Sequence, residues 1–296
     1  MTADGHWTLL DQRLLRQWPL PAVPEDADKE VRGRVLVVAG SRELPGAALL
    51  AATAALRAGA GKLVIATAAS IAPALALAMP EARVIALPET PQGSFAPEAV
   101  RLLEDSARTT GAALIGPGLM DGPGTCRFVA QLLPLLARAP VVLDALAMDL
   151  VRVCGRFEQP VLLTPHAGEM VHLRGDSKAD VGDDPQESVV TAAAEWNAIV
   201  ALKGATTFIA GPAGGRWRHA GGHPGLATSG SGDVLAGVIA GLAAQGVPLA
   251  QACAWGVVLH ALAGAAAGRR TGPVGFLARE LAREIPALVR RLQQRA

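Results

Sequence analysis

Residues 34–67 read RVLVVAGSRELPGAALLAATAALRAGAGKLVIAT, and this stretch decides the fold. Two short apolar runs, 34–40 and 62–67, flank a longer segment, 46–59, that is rich in Ala and Leu. Runs of strand length that are apolar throughout are typical of strands covered on both faces. The stretch therefore predicts a β-α-β unit of a mostly parallel sheet.

The same alternation continues along the chain. Strand-like runs recur at 82–87, 112–116, 140–144 and 160–164, and helical segments at 97–107, 125–139 and 187–197. Pro134 is expected to kink the second of these helices. The pattern predicts an α/β fold, a three-layer αβα sandwich with helices on both faces of the sheet.

The last third of the chain predicts a different arrangement. The runs 198–204, 206–211 and 216–220 are close enough in sequence to form an antiparallel edge, and helices start near Ser231, Pro248 and Pro273. Residues 1–32 are interpreted as an N-terminal arm that packs on the body, with Trp7 and Trp18 as anchors. No linker or composition shift divides residues 33–296, which predicts a single domain.

Composition excludes several classes of protein. The 296 residues are 51% hydrophobic, which is ample for a core, and the net charge is +1. Without a basic stripe and with 3% aromatic residues, the chain is not expected to bind nucleic acid. The apolar run 252–268 is too short for a membrane span and contains His260, so no membrane partner is expected.

The cysteines and the N-terminus predict a cytoplasmic protein. Cys126, Cys154 and Cys253 lack the paired spacings of zinc or redox motifs and are interpreted as buried small hydrophobic residues. Residues 1–21 lack the unbroken apolar stretch of a secretion signal. The helix at 47–57 is apolar nearly all round, so it either packs on another subunit or is a buried central helix.

The chemistry is expected around GLATSGSGDVLAGVIAGLA, residues 225–243. Apolar residues at helical spacing follow Asp233, so a helix begins near residue 232 with SGSG as its entry loop. Free backbone N–H groups and glycines at a helix N-terminus favour a bound phosphate. The sequence predicts an anion hole at Gly230, Ser231 and Gly232.

Asp233 has two interpretations. Acids are favoured in the first helical turn because they complement the helix dipole, and this alone explains many such residues. Beside bound phosphates, the carboxylate would instead take the proton of a substrate hydroxyl that attacks a phosphoryl group. The dipole is expected to keep this acid ionised and intrinsically weak as a base.

Other loops follow strands at the edge where open α/β sheets bind ligands. Gly46 and Ala47 open a helix, and Gly116 and Gly118 form a turn, although either loop is also explained as ordinary punctuation. Thr164, His166 and Glu169 follow another strand, where a histidine that caps a turn is commoner than a metal ligand. The acidic segment 175–184 lacks calcium-loop spacing and is interpreted as a solvated loop.

Lys203 lies at a further strand end, in LKGATT, residues 202–207. It is a candidate for holding phosphate or ribose together with the two threonines of that run. An ordinary solvated lysine is an equally common reason for such a position.

Six motifs in register carry a resemblance to a known family. The segments VLVVAGS…PGAALLA…RAGAGKLVIAT, ALIGPGL, VVLDALA, LLTPHAGEM, ALKGATT and GLATSGSGDVLAG, followed by AWGVVLHALAG, span residues 34–264. Together they resemble the ADP/ATP-dependent NAD(P)H-hydrate dehydratases of the ribokinase-like superfamily. The resemblance implies a ribokinase-like fold, Mg²⁺ dependence, and repair of hydrated NADH and NADPH coupled to ADP or ATP hydrolysis.

The resemblance also implies roles for single residues. Asp233 would be the catalytic base and would contact the hydrated nicotinamide nucleotide, as would Ala47, Gly118 and His166. The adenine nucleotide would be held by Lys203, Gly204, Ala205, Thr206 and Thr207, with Gly232 at its phosphates. Some relatives read LDADAL where this chain reads LDALAM, so Asp144 is present, the next acid is missing, and no catalytic role is assigned to Asp144.

The implied reaction phosphorylates the 6-hydroxyl of the S-form hydrate, because hydroxide is a poor leaving group, and then expels phosphate. AMP is the other product from ADP, and ADP from ATP. Many relatives are fused to an epimerase, which is expected here as a separate chain, and a homo-oligomer, a tetramer, is expected. Two alternatives stay open: a thiazole or pyrimidine alcohol kinase of the same superfamily, and a nucleotide-sensing protein without turnover.

Overall fold

A ten-stranded sheet forms the middle layer of the computed structural model, which describes residues 6–22, 24, 28–175, 181 and 184–294. The strands are β1 (Thr8–Leu9), β2 (Arg34–Val38), β3 (Lys62–Ala68), β4 (Ala82–Leu87), β5 (Ala112–Ile115), β6 (Val141–Leu143), β7 (Val161–Leu163), β8 (Ile199–Leu202), β9 (Thr207–Ala210) and β10 (Arg216–His219). Their spatial order is β1-β10-β9-β8-β7-β6-β5-β2-β3-β4.

The sheet is parallel from β4 to β8 and antiparallel beyond it. Strands β8, β9 and β10 pair antiparallel, and β1 adds to the edge parallel to β10. The short connections between these last strands allow hairpin-like pairing, whereas parallel neighbours require crossover helices. The α/β class and the antiparallel edge predicted from the sequence are therefore confirmed.

Helices cover both faces of the sheet. They are α1 (Gln12–Gln17), α2 (Pro45–Arg57), α3 (Ala72–Ala78), α4 (Glu104–Arg108), α5 (Gly122–Leu132), α6 (Val151–Cys154), α7 (Ala167–Arg174), α8 (Pro185–Trp196), α9 (Ser231–Ala244), α10 (Leu249–Thr271) and α11 (Ala278–Gln293). The two hydrophobic cores take alternate residues of the strands, with Val35 and Val37 in one and Leu36 and Val38 in the other. This explains why the strands are apolar throughout.

Helix α2 is a central core helix. Its residues Ala51 and Ala55 are buried and belong to the same core as α9 and α10. A Cβ placed on Gly237 or Gly241 of α9 would collide with the carbonyl oxygen of Ala51 or Ala55 respectively. The two glycines therefore let the helix backbones touch, and of the two interpretations of α2 the structure supports the buried one.

Several predicted boundaries differ from the structure. Residues 97–103 form a 3₁₀-helix that continues into α4, and the helix predicted to 139 ends at Leu132, where a 3₁₀ turn containing Pro134 follows. The helix expected near Pro273 begins at Ala278. Helix α3 and strand β1 were not predicted, because seven residues and two residues give too little periodicity to detect.

Two tryptophans attach the N-terminal segment to the antiparallel edge. Trp7 packs edge-on against Phe208 at a centroid distance of 5.2 Å, and Trp18 stacks on Trp217 at 5.9 Å. The Trp18 carbonyl also accepts a hydrogen bond from the Trp255 indole at 2.8 Å. These contacts hold the segment against the sheet and α10.

Helix α10 is long and apolar enough to cross a membrane by length and composition alone, but 72% of its most apolar window is buried inside the protein. It is therefore a core helix of this fold. The cysteine prediction is partly wrong, because Cys126 and Cys253 are buried whereas Cys154 is exposed. Most of the acidic segment 175–184 lies outside the described residues.

Candidate active site

The carboxyl ends of four neighbouring parallel strands meet the first turn of α9. Gly116 follows β5, Asp144 follows β6, Thr164 follows β7 and Lys203 follows β8. Because these strands are adjacent in the sheet, residues separated by up to about 90 positions in sequence share one edge. The residues predicted from separate loops are thereby brought to a common site.

The first turn of α9 with its cap, residues 230–233, is the predicted anion-binding turn. Gly230 caps the helix with a φ of 85°, and a Cβ there would lie 2.5 Å from Cδ1 of Leu50. The Ser231 amide donates to the Thr228 carbonyl at 3.2 Å, while the amides of Gly232 and Asp233 find no acceptor among the described residues. The free donors of the predicted anion hole are thus shifted by one residue from Ser231 toward Asp233.

Asp233 is half-buried beside this turn, with Oδ2 3.8 Å from the position of a Cβ on Gly230. It forms no ion pair or side-chain hydrogen bond with any residue that the structure describes. Burial and, to a lesser extent, the charge of Asp144 raise the pKa of Asp233 against the opposing effect of Lys203, and the net result is a pKa of about 7. The prediction that the helix dipole keeps this acid a weak base is therefore wrong, because desolvation outweighs the dipole.

Lys203 lies between three carboxylates. Its Nζ is 3.3 Å from Oδ1 of Asp144 and 3.7 Å from Oε2 of Glu169. Burial lowers the pKa of Lys203, but Asp144, Glu169 and Asp233 together raise it above its usual value. The ammonium group is therefore charged, and it lies 3.4 Å from where a Cβ on Gly232 would be, directly at the anion-binding turn.

Asp144 is the functional candidate that sequence reasoning left out. Its carboxylate is buried and accepts a hydrogen bond from the Thr164 hydroxyl at 2.6 Å as well as pairing with Lys203. The signal was present in the sequence, since Asp144 ends a strand-like run at the same edge as His166 and Lys203. What the sequence did not show is the sheet order that places β6 and β8 on either side of β7.

His166 is a helix cap. Its Nδ1 accepts a hydrogen bond from the Glu169 amide at 3.2 Å, and its own amide donates to Oε2 of Glu169 at 2.7 Å. This reciprocal capping box begins α7 and leaves the imidazole 59% exposed toward solvent. A β-bridge to Lys203 places His166 beside the lysine, where a bound ligand would meet it.

Ala47 and Gly118 pack against each other where the loop after β5 meets α2. Gly118 has a φ of 67°, and a Cβ there would lie 2.7 Å from Cβ of Ala47 and 2.7 Å from the Leu44 carbonyl oxygen. At Gly116, with a φ of 130°, a Cβ would collide with the Asp144 carbonyl. Only glycine fits these positions, so the loop after β5 is fixed against both α2 and the Asp144 turn.

The predicted nucleotide-binding run begins at Lys203 and continues outward. Gly204 and Ala205 are exposed, Thr206 is half-buried, and Thr207 begins β9. A Cβ on Gly222 would lie 2.7 Å from the Ala205 carbonyl, so a neighbouring loop closes over this turn. The run therefore lies beside the anion-binding turn, with Gly204 and Ala205 exposed to solvent.

The sheet order, the crossover helices and the anion-binding turn that precedes a carboxylate define a ribokinase-like α/β protein. A ribokinase-like protein from Enterococcus faecalis superposes with a TM-score of 0.84 at 27% identity, over 99% of each chain. A crystal structure of an ADP/ATP-dependent NAD(P)H-hydrate dehydratase from Bacillus subtilis, co-crystallised with ATP and Mg²⁺, gives a TM-score of 0.82 at 30% identity, covering 97% of this chain and 99% of that one.

The sequence narrows this class to one family. The model of the NAD(P)H-hydrate dehydratase family matches residues 35–287. An ADP-dependent (S)-NAD(P)H-hydrate dehydratase from Xanthomonas campestris is 49% identical over 94% of each chain. A bifunctional NAD(P)H-hydrate repair enzyme from Moorella thermoacetica is 41% identical over 93% of this chain but 52% of its own length. The chain belongs to the NAD(P)H-hydrate dehydratase family, and it spans about half the length of the bifunctional relative.

Proposed function

We propose that this NAD(P)H-hydrate dehydratase uses ADP to dehydrate the S form of hydrated NADH and NADPH, releasing AMP and phosphate through a phosphorylated intermediate. The relative that is 49% identical carries that activity in its name and matches this chain over 94% of both lengths. The observation that carries the proposal is the pairing of Asp233 with an anion-binding turn and a charged lysine. Such a pairing suits the transfer of a phosphoryl group to a hydroxyl.

The residues have distinct roles in the proposed first step. Asp233 takes the proton of the 6-hydroxyl as that oxygen attacks the terminal phosphorus of ADP, and the bond to the bridging oxygen breaks to release AMP. The amides of Gly232 and Asp233, with Lys203, stabilise the charge on the transferred group. A pKa of about 7 suits Asp233 to this role, since a general base works best when its pKa lies near the working pH.

The second step needs a better leaving group than hydroxide, and phosphate supplies it. The electron pair of the ring nitrogen assists cleavage of the carbon–oxygen bond, and loss of a proton from the neighbouring carbon restores the dihydropyridine ring. Ala47, Gly118 and His166 are proposed to hold the nicotinamide nucleotide. The adenine nucleotide is proposed to be held by the run that follows Lys203, which consists of Gly204, Ala205, Thr206 and Thr207.

Mg²⁺ is proposed to arrive with the nucleotide. Among the residues that the structure describes, no group of three His, Cys, Asp or Glu is arranged to hold a metal ion. This fits Mg²⁺, which is usually bound through substrate phosphates and water with few protein ligands. When bound, the ion would neutralise charge on the phosphate oxygens.

The small-molecule kinase alternative is not favoured. It would use the same turn and the same carboxylate but would release a stable phosphate ester, and the full-length relatives are dehydratases. ADP is proposed over ATP because the relatives of similar length from Xanthomonas campestris and Bacillus subtilis are named ADP-dependent. The Bacillus subtilis enzyme that was co-crystallised with ATP and Mg²⁺ is named ADP/ATP-dependent, so the test includes both nucleotides.

The test is a recovery assay with purified protein, Mg²⁺, hydrated NADH or NADPH, and either ADP or ATP. Absorbance at the reduced-nicotinamide band is expected to recover, with one phosphate released for each ring restored. Release of a stable phosphate ester without recovery would favour the kinase. Nucleotide binding without consumption of either substrate would favour a sensing protein.

We also propose how the chain is organised, where it is located and how it assembles. We take residues 33–296 as one catalytic domain with residues 1–32 as its arm, in a cytoplasmic protein that assembles as a homo-oligomer, a tetramer. Exposed large apolar side chains such as Leu77, which is 87% exposed, would be available for contacts between subunits. The bifunctional repair enzymes among the relatives support a separate NAD(P)H-hydrate epimerase as pathway partner.

A further inference from the structure

The charged groups around Asp233 are arranged so that the nearby lysine pairs with other carboxylates. Lys203 Nζ lies within 4 Å of two carboxylates, those of Asp144 and Glu169, and neither is the proposed base. Asp233 is close enough to raise the pKa of Lys203, yet among the described residues the ion pairs of Lys203 are with Asp144 and Glu169. Lys203 is therefore held by Asp144 and Glu169, and not by the proposed base, Asp233.

Asp144 is built to hold the lysine in this position. It is buried at the end of β6, its Oδ1 accepts the Thr164 hydroxyl at 2.6 Å, and the same oxygen faces Lys203 Nζ at 3.3 Å. The Asp144 carbonyl packs directly against Gly116, where no side chain fits, so the turn that carries the carboxylate is closely packed. A buried acid fixed in this way keeps its partner in one position.

We propose that Asp144 is a positioning residue for the phosphoryl-transfer step: it holds Lys203 on its own carboxylate, so that Asp233 is left without a bound cation and is free to take the substrate proton. This role rests on the proposed function of Asp233 as the base.

The groups that face Asp233 are few. Asp144 and Lys203 act on its charge directly, Glu169 on α7 acts on the lysine, and His260 on α10 is neutral because burial lowers its pKa to about 4. From α2 and α11, the side chains next to the Gly230 turn are apolar, Leu50 and Ala278. Among the residues that the structure describes, Asp144 is therefore the one negative charge that raises the pKa of Asp233, while Lys203 lowers it.

The test replaces Asp144 by Asn, which has nearly the same volume and can still accept the Thr164 hydroxyl. With the negative charge removed and Lys203 released, the titration midpoint of Asp233 is expected to fall by about one pH unit or more. Carbon-13 NMR of the Asp233 carboxyl in the ligand-free protein measures this midpoint without substrate. The acidic limb of the pH profile of kcat is expected to move in the same direction, with kcat falling roughly 10-fold or more.

The matched control is Glu169→Gln. It removes another carboxylate that contacts Lys203 but does not act on Asp233, so the midpoint of Asp233 is expected to stay in place. Adding Lys203→Met to Asp144→Asn removes the released cation and is expected to return the midpoint upward. An unchanged midpoint in Asp144→Asn, or an equal shift in Glu169→Gln, would overturn the proposal.

A second measurement does not depend on the variant folding. A crystal structure of the ligand-free wild-type protein is expected to show Lys203 Nζ paired with Asp144, and a lysine away from Asp144 or paired with Asp233 would overturn the proposal. Because the NMR titration and this structure use no substrate, their failure is separable from that of the dehydratase assignment. An inactive wild type in the recovery assay would rule out the proposed function. The contact between Lys203 and Asp144 would then still be tested by the NMR titration and the ligand-free crystal structure.

Discussion

His260 Nε2 lies 3.0 Å from both the hydroxyl oxygen and the carbonyl oxygen of Ser231. Burial lowers the pKa of His260 to about 4, so the ring is neutral at physiological pH. This contact fastens the first residue of α9, and with it the anion-binding turn, to the core helix α10. A neutral ring allows the attachment without adding a charge beside the phosphates that this turn is proposed to bind.

Replacing His260 by Leu is therefore expected to loosen the turn. The Ser231 hydroxyl and carbonyl lose their contact with the imidazole, which costs about 1–3 kcal/mol of stability, and the affinity for ADP is expected to fall. Calorimetric titration with ADP and thermal unfolding measure the two effects.

The matched control is Gln251→Leu, on the same helix. Gln251 donates to the Trp18 and Pro19 carbonyls, away from the site. It is expected to lower stability without changing ADP affinity. Equal losses of ADP affinity in both variants would mean that His260 contributes only to folding.

Asp233→Asn is expected to separate binding from turnover. The amide keeps the shape of the side chain but cannot take a proton, so kcat is expected to fall by about 10²–10⁴-fold. ADP affinity, measured by calorimetry, is expected to stay within a few-fold of the wild type. Turnover close to that of the wild type would exclude Asp233 as the base.

The same variant is expected to be more stable than the wild type at alkaline pH. The pKa of Asp233 rises from 3.8 toward about 7 on folding, so the folded state binds the proton more tightly than the unfolded state. Stability from this group is present at low pH and is lost as the pH rises from about 4 through about 7. Asn lacks this loss because it carries no charge.

Thermal unfolding of both proteins at about pH 5 and about pH 8 checks this expectation. The gain in Tm from Asp233→Asn should be larger at the higher pH, where the wild-type carboxylate is ionised beside Asp144. A gain that is equal at both pH values would show that charge is not its cause.

Gly237→Ala is expected to destabilise the core. The added Cβ would collide with the Ala51 carbonyl, and since both atoms belong to helix backbones, α2 and α9 would have to separate. Overpacking of this kind costs about 1–3 kcal/mol. Gly46→Ala is the control, because nothing lies within 4 Å of its added Cβ. Urea unfolding should show a loss for the first variant and no loss for the second.

The sequence predicted the features that local patterns determine. Wholly apolar runs identified the buried strands, and the glycine-serine run before Asp233 predicted a helix start with free backbone N–H groups, which the structure has at Gly232 and Asp233. The sequence assigned no catalytic role to Asp144, because the acid that follows it in some relatives is missing here, and its proximity to Lys203 depends on sheet order, which is a long-range property. The acid strength of Asp233 was misjudged because a dipole is visible in sequence, whereas burial and a neighbouring carboxylate are visible only in three dimensions.

The most direct measurement is a crystal structure of Asp233→Asn with ADP, Mg²⁺ and hydrated NADPH bound. The account predicts that the phosphates of ADP lie against the Gly232 and residue 233 amides, with the 6-hydroxyl within hydrogen-bond distance of the residue 233 side chain. An ADP bound elsewhere, or a residue 233 side chain turned away from the 6-hydroxyl, would contradict it.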